Sequence, residues 1–288
     1  MNKILVTGAK GQLGSELNVL SKYYNQFEWI FTDREELDLC DLDYFVFEIA
    51  RINPQFIINC AAHTAVDRAE TEFELSDILN HQAVAVMAKW TQENNCKLIH
   101  ISTDYVFDGI ASKGLIETAE TNPINVYGIT KLAGEKVCMQ QNPNAIILRT
   151  SWVYSIFGNN FVKTMSKLMQ ERDSLNVVND QIGSPTYAAD LAQAILTILT
   201  HKHWQAGIYH FSNEGAISWY QFALAIREAG NFDCEIKGIS TSDYPTPAKR
   251  PQYSLLDKTK IKNTFGVDVP DYQESLQECL KLFSQLNG

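Results

Sequence analysis

The chain has 288 residues, 45% of them apolar, and a formal net charge of -10 at pH 7. That length supports one large domain, or a domain with a smaller lobe. An acidic balance without a basic stripe argues against nucleic-acid binding, although an anionic small ligand can still meet a locally positive pocket.

No apolar run approaches the roughly 18–20 residues that a membrane span needs. The chain opens Met1-Asn2-Lys3 and enters a strand-like run at once, which leaves no room for a signal peptide. The six cysteines (40, 60, 96, 138, 234 and 279) show no C-x-x-C spacing and no zinc-type Cys/His cluster. Reduced thiols and a cytoplasmic location are the expectation, and no metal site is expected.

In chain order, Lys3–Thr7 reads as a strand that ends in glycine, and a helix pattern runs from Gln12 to about Leu20. Glu28–Thr32 is a second strand, Asp43–Arg51 a helix with Pro54 after its end, and Phe56–Cys60 a third strand. One long helix is expected over 74–94, a strand over Lys97–Ser102, a helix over Tyr127–Gln141 and a strand over Ala145–Leu148. The strands are apolar nearly throughout, as a parallel sheet covered on both faces requires. The expected fold is α/β: a doubly wound parallel sheet with right-handed crossovers. After Arg149 the pattern loosens. Phe161–Arg172 and Ala188–Leu199 read as helices and Leu175–Val178 as a strand, and Pro245–Pro251 is rich in turns. The division is therefore 1–150 for a nucleotide-binding domain, and 151–288 mainly for a substrate lobe interleaved with the main sheet.

The first turn reads Gly8-Ala9-Lys10-Gly11-Gln12-Leu13-Gly14, with glycines three residues apart between a strand and a helix. Close backbone approach to a pyrophosphate excludes a Cβ, and the amides of the helix N-terminus face the phosphates. The motif is weak alone, but strand before and helix after is the setting it demands. Gly14 can act in packing only, letting helix and strand lie close. Asp33 closes the second strand, where a carboxylate accepts from the adenosine ribose and favours NADH. Arg34 beside it can receive a 2′-phosphate and favours NADPH. The two signals conflict, so the cofactor reads as NADPH or NADH.

Tyr127 and Lys131 lie four apart, on one face of a helix. Ser102-Thr103-Asp104 sits just past a strand end, where open α/β sheets bind ligands. A hydroxyl, a phenol and an ammonium suit carbonyl reduction. Thr103 would hold the carbonyl, Tyr127 would give it a proton, and Lys131 would lower the phenol's pKa toward the working range. The bland alternatives are surface residues for Tyr127 and Lys131 and a turn cap for Thr103.

At this point the chain resembles the extended short-chain dehydrogenase/reductase family, in its branch that reduces nucleotide-linked deoxysugars. The match is carried by GAKGQLG (8–14), NCAAHTAVDRAE (59–70), STDYVFDG (102–109), NPINVYGITKLAGE (122–135), RTSWVY (149–154), NNFVKTM (159–165), DQIGSPT (180–186) and a weaker YPTPAKRP (244–251). The resemblance implies that Gly11, Gln12 and Leu13 contact the cofactor diphosphate, Asp33 the ribose, and Asp38 and Leu39 the adenine. Ala61, Ala62, His63 and Thr64 would line the nicotinamide side, where Tyr127 and Lys131 also hold the ribose. Thr103, Asp104 and Trp152 would contact the sugar nucleotide, a dTDP-sugar reduced at its C4 keto group. Arg250 and Lys163 are candidates for its diphosphate, with solvated surface charge as the alternative. His63 reads as a packed histidine, and His201 and His203 as solvated ones. A homodimer is compatible with the resemblance; no ligand set for a bridging metal stands out. The rivals are an epimerase or dehydratase that recycles its cofactor, and a non-catalytic regulatory subunit like the β subunit of methionine adenosyltransferase. A second carboxylate after Thr103, as dehydration would want, is missing; the intact Thr103/Tyr127/Lys131 set counts against a binding-only role.

Overall fold

The computed structural model describes residues 1–287. Its first half alternates strand and helix: β1 (Asn2–Thr7), α1 (Gln12–Ser21), β2 (Phe27–Thr32), α2 (Leu42–Ile52), β3 (Phe56–Asn59), a short α3 (Val66–Ala69), then α4 (Phe73–Asp77) and α5 (Ala83–Glu93) joined by a π turn over Ile78–Gln82. β4 (Lys97–Thr103), α6 (Val126–Gln141) and β5 (Ile146–Thr150) follow. The second half is more broken, with β6 (Val153–Tyr154), α7 (Phe161–Glu171), β7 (Ser174–Val178), β8 (Ile182–Gly183), β9 (Thr186–Tyr187), α8 (Ala188–Thr200), β10 (Gly207–His210), β11 (Ile217–Ser218), α9 (Trp219–Ala229), β12 (Glu235–Ile239), α10 (Thr259–Phe265) and α11 (Tyr272–Asn287).

Six strands form one parallel sheet in the order β10-β5-β4-β3-β1-β2. The fold is α/β, with helices on both faces. On one face Ile4, Val6, Ile58, Ile99, Ile146 and Leu148 meet Leu13 and Leu17 of α1 and Leu191 and Ile195 of α8. On the other, Leu5, Ile57, Leu98 and Ile147 meet Phe45 and Ile49 of α2, Val84 and Met87 of α5, and Cys138 of α6. Burying both faces is why these strands carry no apolar–polar alternation. β1 connects to β2 on one side and neighbours β3 on the other, so the strand order reverses between β1 and β3. A crevice opens at such a reversal, beyond the carboxyl ends of the strands.

A second core, around Tyr154, Val162, Leu175, Phe222, Ile226, Ile236 and Leu276, lies in residues beyond 150. It is tied to the sheet domain at the crevice: Ser155 Oγ donates to Glu16 Oε1 at 2.6 Å, and Asn160 Nδ2 to Gln12 Oε1 at 3.0 Å. α8 and β10 also lie beyond 150 yet pack on or join the main sheet.

The expected helix over 74–94 is interrupted by the π turn. Its extra residue turns Asn80 fully inward, where Nδ2 donates to Thr130 Oγ1 at 3.1 Å. α6 can come this close because residue 134 is glycine; a Cβ there would lie 2.0 Å from the Asn80 carbonyl oxygen. Insertions of this kind often mark functional sites. No helix among the described residues is long and apolar enough to cross a membrane.

Candidate active site

A cleft of about 940 Å³ runs along the carboxyl ends of β1, β3, β4 and β5 and is closed on one side by the segment after β5. The turn after β1 forms its floor. Gly8 adopts φ +67°, and a Cβ on it would lie 2.8 Å from the Ala61 nitrogen, so glycine is needed both for the turn and for the contact with the loop after β3. Gly11 caps α1 without a side-chain hydrogen bond, which leaves the first-turn amides free to meet an anion. The Gln12 side chain is held by the second lobe, through Val153 O at 3.3 Å and Asn160. A Cβ on Gly14 would sit 2.4 Å from Gly8 O; Gly14 packs α1 against the turn and is not part of the cleft lining.

Asp33 accepts from the backbone nitrogens of Lys10 and Arg34, each at 2.8 Å, which fixes its carboxylate at the cleft rim. The Arg34 side chain is exposed and lies 3.6 Å from Asp38. Arg34, Asp38 and Leu39 line this end, and Ala61, Ala62, His63 and Thr64 the middle. His63 is buried and fully engaged: its nitrogen donates to Asn80 Oδ1, Nδ1 meets Ser76 Oγ at 2.8 Å, and Nε2 meets Glu72 Oε2 at 2.9 Å. This is the packed, hydrogen-bonded histidine expected from the sequence.

The far end holds Thr103, Asp104, Tyr127, Lys131 and Trp152. Thr103 ends β4, accepts from Tyr105 N at 3.2 Å and donates to Asp104 Oδ1 at 3.0 Å, so it caps a turn and lines the cleft at once. Burial pushes Asp104 up to about 6, against hydrogen bonds from Ser254 and Thr103. Its Oδ2 is buried without a hydrogen-bond partner. Burial also raises the Tyr127 phenol, to about 12, opposed by a hydrogen bond with Thr103. Lys131 is itself buried, is pulled down to about 8 by that burial, and donates to Ile101 O at 2.6 Å. The ammonium is directed at the sheet.

Trp152 stands in the left-handed region at φ +48° and stacks on Trp219, centroids 3.6 Å apart and planes within 12°. A Cβ on Gly183 would come within 2.8 Å of its ring. Both rings line the cleft that Thr103 also lines.

Two expected anion-binding residues lie outside the lining. Arg250 is clamped by Asp67 in a two-pronged ion pair of 2.5 and 2.6 Å, so its charge is neutralised within the protein. Lys163 Nζ donates to Ile156 O at 3.2 Å. Sequence reasoning passed over Asn59, Asn80, His100 and Trp219. Asn59 and His100 carried a signal, as polar residues within otherwise apolar strands. Asn80 carried none, because its inward turn comes from the π turn. Among the described residues no group of three or more His, Cys, Asp or Glu side chains could hold a metal ion.

A glycine turn at the strand-order reversal, with a tyrosine and a lysine one helical turn apart beside a strand-end threonine, defines a Rossmann-type oxidoreductase of the extended short-chain dehydrogenase/reductase class. The family model described as RmlD substrate binding domain matches residues 1–285, and the chain belongs to that family. It is 42% identical to the dTDP-4-dehydrorhamnose reductase of Aggregatibacter actinomycetemcomitans, over 96% of this chain and 98% of that one. The crystal structure of a dTDP-4-dehydrorhamnose reductase from Clostridium acetobutylicum superposes with a TM-score of 0.94 at 39% identity, covering 98% of this chain and 99% of that one. That of Bacillus anthracis, in complex with NADP, gives 0.93 at 37% identity, covering 98% and 100%.

Proposed function

We propose that this protein reduces the C4 keto group of dTDP-4-dehydro-L-rhamnose to dTDP-L-rhamnose with NADPH or NADH. The observation that carries the reading is the meeting of two sequence-distant features in one cleft: the bare amides and glycine turn at Gly8–Leu13, and the Thr103/Tyr127/Lys131 cluster. The turn fits a dinucleotide diphosphate, since Gly11 places no side chain at the α1 N-terminus and that N-terminus has no side-chain cap. When bound, the nicotinamide supplies the hydride.

The chain's own residues supply position and protons. Gly11, Gln12 and Leu13 bind the diphosphate. Asp33 holds the adenosine ribose, with Arg34 at the 2′ position and Asp38 and Leu39 along the adenine. Ala61, Ala62, His63 and Thr64 wall the nicotinamide side. Thr103 turns its hydroxyl hydrogen from Asp104 Oδ1 to the sugar carbonyl, and Tyr127 gives its proton to the same oxygen. Lys131 grips the nicotinamide ribose and favours the phenolate that Tyr127 leaves behind. Asp104 and Trp152 contact the sugar within the lobe formed mainly by 151–288. Action in the cytoplasm and a homodimeric assembly are compatible with the same reading.

The test is absorbance of the reduced nicotinamide, with dTDP-4-dehydro-L-rhamnose made in situ and NADPH and NADH in parallel. Stoichiometric loss with formation of dTDP-L-rhamnose supports the reading and ranks the cofactors. Cofactor binding without turnover would overturn it.

A further inference from the structure

The buried polar row behind Lys131 has no place in the chemistry so far. Thr7, Asn59 and His100 are in register on β1, β3 and β4, on the sheet face that α6 covers. They are 2%, 1% and 0% exposed. On that face their predecessors Leu5, Ile57 and Leu98 are core residues, so the row marks the level where the apolar face gives way to the cleft. Polar groups buried so deeply are tolerated when each is hydrogen-bonded. Thr7 Oγ1 lies 2.7 Å from Asn59 Oδ1, Asn59 Nδ2 lies 3.0 Å from His100 Nδ1, and His100 Nε2 lies 3.4 Å from Lys131 Nζ. The row therefore begins at a cleft-lining hydroxyl and ends on the lysine of the Tyr-Lys pair.

The direction of the hydrogen bonds is set by the charge at its end. An ammonium only donates, so His100 Nε2 must accept from it. A neutral imidazole that accepts at Nε2 carries its hydrogen on Nδ1. Nδ1–H must then donate to the side-chain oxygen of Asn59, whose amide group turns toward Thr7 Oγ1. The same heavy-atom positions serve this direction and its reverse. The reverse, with Nε2–H aimed at Lys131, suits only a neutral amine. His100 stays neutral in either case: burial holds its pKa well below the ordinary value, and Lys131 adds to the depression. The groups acting on Lys131 are Glu135 and Cys138 on its own helix, both of which raise it, and His100 on β4.

We propose that His100 is a positioning residue for Lys131: held in its Nδ1–H form by Asn59 and Thr7, it offers Nε2 as the side-chain acceptor that keeps Lys131 an ammonium and anchors it beside the cleft. Ile101 O is the second acceptor. Together they hold the ammonium in a pocket where burial alone would favour the amine. The pH consequence rests on the reductase reading above, whereas the tautomer does not.

Two measurements test it. In the 15N-labelled wild-type protein without ligands, the ring nitrogens of His100 should show the Nδ1–H form and no titration between pH 6 and 7, where Lys131 is an ammonium; an Nε2–H form there would overturn the proposal. In steady-state reduction, His100→Leu should move the alkaline limb of the kcat/KM profile to lower pH by about one unit. His100→Gln, which restores an acceptor, should bring the limb back toward wild type. An unchanged limb in a folded His100→Leu protein would also overturn it. Should His100→Leu fail to fold, the tautomer measurement decides alone; should the wild type show no turnover, the reductase reading falls while the tautomer still tests the row.

Discussion

The two ends of the cleft are built from different materials. The cofactor end is mostly backbone: the Gly8 turn, the uncapped amides of α1, and an Asp33 carboxylate held by two main-chain nitrogens. Its charges, the Lys10–Glu35 and Arg34–Asp38 pairs, are solvent-exposed. The catalytic end is side chain throughout, with Thr103, Asp104, Tyr127 and Lys131 no more than 8% exposed. Burial drives Asp104, Tyr127 and Lys131 toward their neutral forms. A backbone cradle binds a phosphate chain of fixed shape with little electrostatic commitment. A buried side-chain cluster instead makes each proton expensive to place and correspondingly strong in effect.

The sharpest break between the two ends is expected from Tyr127→Phe. Removing the phenol removes the proposed proton donor but no part of the glycine turn, so kcat should fall by at least ~10² while cofactor affinity stays within about twofold. Single-turnover kinetics and a fluorescence titration of the cofactor check the two halves separately. Near-normal turnover would move the general acid elsewhere.

The converse break is Gly14→Ala. Its Cβ would lie 2.4 Å from Gly8 O, a backbone atom, so α1 must shift off the turn. Overpacking of this kind is expected to lower stability by about 2 kcal/mol and to weaken cofactor binding more than the chemistry of the bound complex. Denaturant unfolding and the same titration measure it. Unaltered stability would show that α1 has freedom the packing does not suggest.

This contrast also explains what could be read from the sequence. Glycines at 8, 11 and 14 between a strand and a helix announce a backbone cradle, because spacing in that setting encodes it. Tyr127 and Lys131 share a helix face by spacing too, and the apolar strands β1 to β5 follow from covering both faces. The direction of Lys131 could not be read: it depends on His100 and Ile101 O, brought alongside by the packing of α6 on β4. Arg250 looked like a free cation because its partner, Asp67, is 183 residues away. β10 is the run Gly207–His210, too short to announce a strand, and it is defined by pairing with β5. The break at Ile78–Gln82 within a continuous helical pattern reflects the fit of Asn80 between His63 and Thr130, a tertiary demand.

A smaller effect isolates the electrostatic character of the catalytic end. Asp104 has a folded-state pKa of about 6, above its ordinary 3.8, because burial penalises the carboxylate. Below pH ~4 the group is largely neutral in folded and unfolded chains alike; between about 4 and 6 only the unfolded chain ionises, so stability falls across that window and levels off once the folded group also ionises above about 6. Asp104→Asn should therefore gain on the wild type as pH rises, by about 1–2 kcal/mol at pH 8 relative to pH 4, with a ceiling near 3 kcal/mol from the shift itself. Thermal unfolding at a series of pH values gives the difference. A gap independent of pH would mean that Asp104 finds solvent or a partner when it ionises.

The smallest effect belongs to the cofactor rim, and it resolves the conflict between Asp33 and Arg34. Asp33 is already satisfied by the Lys10 and Arg34 backbone nitrogens, so its carboxylate is fixed in place and presents an anion at the rim. Arg34 is mostly exposed and only loosely tied to Asp38, leaving the guanidinium free to reach a 2′-phosphate. An exposed charge–charge contact contributes about 0.5–1 kcal/mol. Arg34→Ser should therefore weaken NADPH about two- to fivefold, leave NADH unchanged, and lose that difference as salt screens the pair. Equal loss for both cofactors would place Arg34 over the adenine instead of the phosphate. No loss for either would leave the rim to Asp33, and the cradle would then distinguish the two cofactors only through a carboxylate that disfavours a second negative charge.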